Sequence, residues 1–441
     1  MTRASPSSPG PVSIGIDFGT SNTVVALSRP GHPASVVRFR HEGRHASDGT
    51  AFISALCFWE DGGRAGKRTR IEGGPWAVEE FLEGLSNHRF IQSFKTFAAS
   101  SSFQDTRIFG ARYRFEDLLH AFLSNVLGHA GVSPDGGSVV VGRPVRFAGG
   151  APDEALAMRR YQAAFDRLGV AAPRFVYEPV GAAFFYAQQL EKDATVLVAD
   201  FGGGTSDFSV IRFEGTDGAR RARPLGHAGV GVAGDTFDYR IIDKVVSPRL
   251  GKGANYRSFD KLLSLPTHYY ANFARWNQLA MMKANGDLKE LRQLARAAVD
   301  PEPLERFIEI VENDLGFALY RAVSAAKIGL SSQDAVDFRF QDGGVDIAAR
   351  IARTDFEGWI APDIERIAGA LDEALARAGT LADQVERVFL TGGSSFIPAI
   401  RRVFLERFGE RRLTSSDQFE SIASGLALIG GEPDLDRWVA A

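Results

Sequence analysis

A single cysteine, Cys57, stands in this chain of 441 residues, so no disulfide can close within it. It lies in an apolar run at residues 51–59, and a lone thiol in such a setting is expected in a reducing, cytoplasmic compartment. An excess of charge of either sign is missing too. Lys and Arg number 51 against 54 Asp and Glu, and without a basic stripe no nucleic-acid partner is expected. No apolar stretch reaches the roughly 20 residues that a helix needs to span a bilayer, so no membrane partner is expected. The start, residues 1–11, is rich in Ser and Pro and has no signal-peptide core, which predicts a short disordered leader. The eight histidines show no metal-ligand spacing, and no zinc site is expected.

Two segments carry most of the information. Ile14-Gly15-Ile16-Asp17-Phe18-Gly19-Thr20-Ser21-Asn22-Thr23 and Val198-Ala199-Asp200-Phe201-Gly202-Gly203-Gly204-Thr205-Ser206-Asp207 are versions of one device. Each is an apolar strand ending in Asp-Phe-Gly, a turn of Gly, Thr and Ser, and a second apolar run. Glycine lets backbone N–H groups approach a phosphate closely and form an anion nest without side-chain charge. Thr20, Ser21 and Thr205 add hydroxyl donors in the same turns. A carboxylate just before each turn would repel phosphate, so Asp17 and Asp200 make sense if a hard cation such as hydrated magnesium lies between. Either hairpin alone reads equally as an ordinary Asp/Gly turn. The pair implies a duplicated α/β domain holding a polyphosphate and its metal.

A third element, Val388-Phe389-Leu390-Thr391-Gly392-Gly393-Ser394-Ser395-Phe396-Ile397-Pro398, is an apolar strand running into a glycine pair and then a helix. Such a pair lets a base and ribose lie against backbone, beside an anion-friendly helix start. In order, the three segments resemble the two phosphate motifs and the adenosine motif of the actin-like ATPase superfamily. They are most similar to the nucleotide-binding domain of the 70-kDa heat-shock (heat-shock-70) chaperones. The likeness extends to Val176-Tyr177-Glu178-Pro179-Val180-Gly181-Ala182-Ala183, to Gly231-Val232-Ala233-Gly234-Asp235-Thr236-Phe237-Asp238 and to Ala326-Lys327-Ile328-Gly329-Leu330-Ser331.

The resemblance implies an α/β, actin-like ATPase fold: two lobes on duplicated ribonuclease-H-like domains, each with an inserted subdomain, and nucleotide in the central cleft. Lobe I is expected at residues 12–192, with core 12–40 and 138–192 and insertion 41–137. Lobe II is expected at 193–430, with core 193–236 and 335–430 and insertion 237–334. Polar loops are expected near residues 61–70, an amphipathic helix over 154–168, a short strand at 174–177 and a small-residue helix over 180–189. The second insertion reads as mostly helical, and its Tyr269, Tyr270, Phe273 and Trp276 read as core more readily than as a recognition surface. Residues 431–441 leave no room for the family's linker, peptide-gripping sandwich and lid. The sequence therefore looks like the short YegD-type branch, an ATPase module alone.

Carried over position by position, the resemblance implies ATP or ADP with Mg2+ as cofactors. Asp17, with Asp200 and Glu178 acting through water, would hold the metal. Gly19, Thr20, Ser21, Gly202, Gly203, Gly204 and Thr205 would cradle phosphate. Glu178, Asp200 and Thr205 would serve catalysis, and Asp207 would join the water network. The missing cation near the γ-phosphate is assigned to Lys95, whose flanking residues match loosely; the alternative is a solvated surface lysine. Pro144 occupies the place of a nucleotide-sensing proline or serves structure only. Gly234, Lys327, Ile328, Ser331, Gly392, Gly393, Ser394 and Phe396 would contact the nucleoside. There Ser324 replaces an acidic residue, and Ile328 and Phe396 replace arginines that flank the base. Apolar and aromatic faces also suit a purine.

Competing motifs are discounted. Gly229-Val230-Gly231-Val232-Ala233-Gly234 satisfies a dinucleotide pattern outside a dinucleotide fold, and Gly62-Gly63-Arg64-Ala65-Gly66-Lys67-Arg68 has the wrong spacing for a P-loop. Asp-Phe-Gly lacks the preceding loop of a protein kinase. The functional expectation is a chaperone-type ATPase that hydrolyses Mg-ATP slowly and couples nucleotide state to lobe closure and to a protein client or cochaperone. The alternatives are an actin-like filament protein, a small-molecule kinase of the same fold, and a nucleotide-gated binding module without turnover.

Overall fold

The computed structural model describes residues 12–440 apart from 30, 64–65, 85–86, 171, 189, 216–220, 416–419 and 433. The expected leader, residues 1–11, lies outside the described residues, as do residues 64–65 of the P-loop-like stretch.

Two sheets are built to one plan. In the first copy β1 (Ser13–Phe18), β2 (Asn22–Ser28) and β3 (Ser35–Val36) run antiparallel in succession. Helix α1 (Phe115–Ala130) follows. Strand β4 (Ser138–Arg143) pairs parallel with β1, helix α2 (Glu154–Arg167) comes next, strand β5 (Arg174–Tyr177) pairs parallel with β4, and helix α3 (Glu178–Ala187) completes the copy. The second copy repeats this order with β6 (Ala194–Phe201), β7 (Ser206–Glu214), β8 (Arg221–Val230), α4 (Arg353–Ala378), β9 (Arg387–Thr391), α5 (Pro398–Phe408), β10 (Leu413–Ser415) and α6 (Ser421–Ile429). The strand orders β3-β2-β1-β4-β5 and β8-β7-β6-β9-β10 match. This is the actin-like ATPase plan, and it places α1, expected in the first insertion, in the core of the first copy. Its apolar face (Leu118, Leu119, Phe122, Val126) is fully buried, which fixes it there.

Local chemistry explains the elements. Strand β6 is buried at every position, as a central strand covered on both faces must be. Helix α2 starts where Asp153 accepts the Leu156 N–H at 2.8 Å, satisfying one orphan donor of the first turn. The copies share a core: Val176, Val180 and Tyr186 of the first pack with Val196, Val198 and Phe389 of the second and with Ile422 and Leu426 of α6. Burial of each such side chain contributes about 1.5–3 kcal/mol. Where α3 meets α6, a Cβ on Gly425 would lie 1.7 Å from the Gly181 carbonyl oxygen, so only glycine allows this approach.

The polar loops expected near residues 61–70 are instead a hairpin of strands Ala55–Gly63 and Gly66–Gly73. Cross-strand charge explains it: Lys67 meets Glu60 at 2.8 Å and Arg70 meets Asp61 at 3.2 Å, so a polar sequence still forms paired strands. The second insertion is mostly helical, and Tyr269, Tyr270, Phe273 and Trp276 are buried.

Compactness divides the chain differently from the expected lobes. The first unit runs through Gly231 and takes in Ile367–Ser395 and the residues from Arg402 onward; the second comprises Val232–Arg366 and Phe396–Arg401. Both hairpins that end in Asp-Phe-Gly therefore fall in the first unit.

Candidate functional site

The duplicated plan brings equivalent atoms to equivalent places. Asp17 and Asp200 sit near the carboxyl ends of the first strands of the two copies, opposite Val24 and Asp207 in the hairpins. A Cβ on Gly204 would lie 3.1 Å from the Thr20 hydroxyl, so the two Gly/Thr turns face each other closely. Thr20 and Thr205 are buried, while Gly202 stays exposed at the second turn. Gly392 has φ of +84°, and a side chain there would sit 2.1 Å from the Phe201 carbonyl oxygen. Glycine is thus required where the third motif passes the second Asp-Phe-Gly. Strand pairing of Thr391 with Asp200 holds Gly392 and the following Gly393 and Ser394 beside it.

Lys95 belongs to the site and is no surface lysine. Ser93, at φ of +53°, turns the chain into the short 3-10 helix Phe94–Phe97. The Lys95 side chain is 8% exposed and donates to Glu178 Oε1 at 2.7 Å, a contact between residues 83 apart in sequence. Its ammonium lies 5.7 Å from the centre of the Phe18 ring, which packs against Phe94 and Phe122. The phenylalanine of the first Asp-Phe-Gly therefore helps to seat the lysine.

Charge in this pocket is unbalanced. Asp17, Asp200 and Asp207 each feel both the Glu178 carboxylate and the Lys95 ammonium, which itself pairs with Glu178. Burial, and then the Glu178 charge, push Asp17 up to about 7. The same two causes raise Asp207 to about 7, although Thr205 and the Arg146 N–H pull it back. Asp200 is raised well above the usual carboxylate range by burial, then by Glu178, Asp17 and Asp207. Burial alone would lower Lys95, but Glu178, with Tyr161 and Asp17, drives it up and keeps it charged. Asp207 Oδ1 accepts the N–H groups of Val145 and Arg146 at 2.7 and 3.2 Å, which ties the second hairpin to the segment after Pro144. Its Oδ2 is buried without a hydrogen-bond partner among the described residues.

These features fit a hydrated divalent cation. Neighbouring carboxylates raise Asp17, Asp200 and Asp207, and among the described residues Asp207 Oδ2 has no hydrogen-bond partner. Contact through water is the mode that magnesium favours.

The second unit carries the remaining residues. Lys327 is held by Asp238 at 2.7 Å and donates to the Gly234 carbonyl at 3.2 Å. Trp276 Nε1 donates to the other Asp238 oxygen at 3.0 Å. Burial would lower the Lys327 pKa, but Asp238 overrides it and raises it. On the same helix, Ser331 donates to the Lys327 carbonyl at 3.3 Å, and Ile328 is 69% exposed. Phe396 is 41% exposed. The Asp238–Trp276 support of Lys327 was not expected: Asp238 closes a motif, but nothing in spacing links it to a tryptophan 38 residues on.

Comparison with known proteins accords with this geometry. The family model for the Hsp70 protein matches residues 159–253 and 308–432. A chaperone protein DnaK of Thermus thermophilus is 25% identical over 437 residues, covering 95% of this chain and 60% of the relative. The chaperone protein HscA of Pectobacterium atrosepticum is 26% identical over 455 residues, covering 96% and 59%. The chain spans about three fifths of the length of these relatives. With duplicated hairpins, a third glycine motif and this match along nearly its full length, the chain belongs to the Hsp70 family.

Proposed function

We propose that the protein is a chaperone-type ATPase that binds Mg-ATP and hydrolyses it slowly, reporting nucleotide state to a protein client or cochaperone through closure of lobes I and II. The observation that carries this reading is the buried Lys95–Glu178 pair set among Asp17, Asp200 and Asp207 beside two facing Gly/Thr turns. The relatives' names as chaperones support the same class. No helix among the described residues is long and apolar enough to cross a membrane. The buried lone Cys57 suits a cytoplasmic setting.

In this reading Gly19, Thr20, Ser21, Gly202, Gly203, Gly204 and Thr205 cradle the phosphates with backbone N–H and hydroxyl donors. Asp17, and Asp200 and Glu178 through water, would hold Mg2+, which neutralises phosphate charge when bound. Lys95 supplies a cation to the γ-phosphate, and Glu178, released from Lys95, orients the attacking water. Water adds to the γ-phosphorus, the bond to the β–γ bridging oxygen breaks, ADP leaves with that electron pair, and a proton of the attacking water passes to the released phosphate. Phosphoryl transfer needs positioning and charge neutralisation above all, which this inventory provides. Gly234, Lys327, Ile328, Ser331, Gly392, Gly393, Ser394 and Phe396 are assigned to the nucleoside.

Titration calorimetry of the full chain with ATP tests the reading. Magnesium-dependent binding that Asp200→Ala weakens at least tenfold is expected; heat unchanged from buffer, with magnesium present, would overturn it.

A further inference from the structure

The aromatic cluster beneath the first hairpin contains one hydroxyl that its packing does not explain. Tyr161, on α2, is fully buried. Its ring lies 6.1 Å from Phe18, 6.0 Å from Phe115, 5.9 Å from Phe147 and 6.0 Å from Phe175, so it is caged on several sides. Phenylalanine would fill this hollow among phenylalanines, yet the chain places a phenol whose buried hydroxyl has no hydrogen-bond partner among the described residues. An unsatisfied buried hydroxyl costs free energy that a phenylalanine avoids, so a bound molecule at that oxygen would account for it.

The surroundings say what kind. Tyr161 and the Lys95 ammonium both pack on the Phe18 ring, and Lys95, Glu178, Arg143 and Asp17 all bear electrostatically on the phenol. Burial above all raises its pKa, so it is neutral and can donate. Lys95 has three N–H bonds and gives one to Glu178, leaving donors for a neighbour. We infer that the Tyr161 hydroxyl and Lys95 together hold an ordered water beside the Lys95–Glu178 pair, making Tyr161 a positioning residue for the lysine. Such a water would accept from the phenol and from the ammonium, meeting the usual need for two or more polar partners. This rests on the proposed ATPase reading for its catalytic consequence, but not for the water itself.

Two measurements test it. A high-resolution crystal structure of the full chain should show a water within about 3.2 Å of Tyr161 Oη. A dry hydroxyl, or one bonded directly to a protein group, overturns the inference whatever the enzyme does. In single-turnover hydrolysis Tyr161→Phe should lower the rate about tenfold, the worth of one lost hydrogen bond. Its ATP affinity should stay within twofold and its melting temperature should not fall. An unchanged rate, or a loss that tracks weakened binding or a lower melting temperature, overturns the positioning role. Failure of the wild type to hydrolyse ATP would instead count against the ATPase reading, and the crystallographic result would still decide the water.

Discussion

The two copies of the βββαβαβα plan share a strand order and carry different side chains at matched places. The first contributes a buried ion pair, in which Lys95 from the segment inserted after β3 meets Glu178 at the start of α3. The second contributes the buried carboxylates Asp200 and Asp207, three consecutive glycines before Thr205 and a left-handed Gly392 pressed against Phe201. At the ends of the matched strands β4 and β9 the first copy places Arg143 and Pro144, the second Thr391 and Gly392. Duplication supplies two Gly/Thr turns that face each other, and divergence gives the first copy the Lys95–Glu178 pair and the second its run of glycines.

Breaking the contact between copies should have the largest effect. Gly425→Val would drive a side chain into the Gly181 carbonyl, at 1.7 Å for the Cβ alone, so α3 and α6 must separate. A loss above roughly 4 kcal/mol is expected, seen as failure to recover folded protein or a collapsed urea midpoint. Next comes the charge centre of the first copy. Glu178→Ala leaves Lys95 buried without its partner and should destabilise the ligand-free protein by about 3–5 kcal/mol in chemical denaturation, with Lys95→Met on the same background recovering much of it.

A smaller effect, of opposite sign, sharpens the contrast from the second copy. Asp207 has a folded pKa of about 7, above its unfolded value near 3.8. The folded state thus binds more protons between those values, and stability falls as pH rises from about 4 through 7. Asp207→Asn should therefore stabilise the ligand-free protein by on the order of 2 kcal/mol at pH 8 and by little at pH 4, read from melting curves at both.

Much of this was legible in the sequence, for reasons that the residues show. Strands β1, β6 and β9 are apolar runs ending at Asp17, Asp200 and Thr391, and local pattern suffices to find them. Strand Arg174–Tyr177 was expected at the residues it occupies. The outer, polar part of the hairpin, residues 60–70, was hidden because it carries Lys67–Glu60 and Arg70–Asp61 pairs rather than apolar alternation. The core place of α1 depends on topology, which a helical pattern alone does not reveal. In the site, single residues were visible as motif members, but their partners were not. Lys95–Glu178 and Lys327–Asp238–Trp276 join distant segments, and only the folded chain brings such donors and acceptors together.

The division of labour between the copies is tested most directly by single-turnover ATP hydrolysis with magnesium, comparing wild type with Lys95→Ala. The account predicts slow turnover in the wild type and a loss on the order of 10³-fold in the variant, with ATP still bound, because the cation acts on charge that develops in the transition state. Turnover in Lys95→Ala equal to wild type would contradict it.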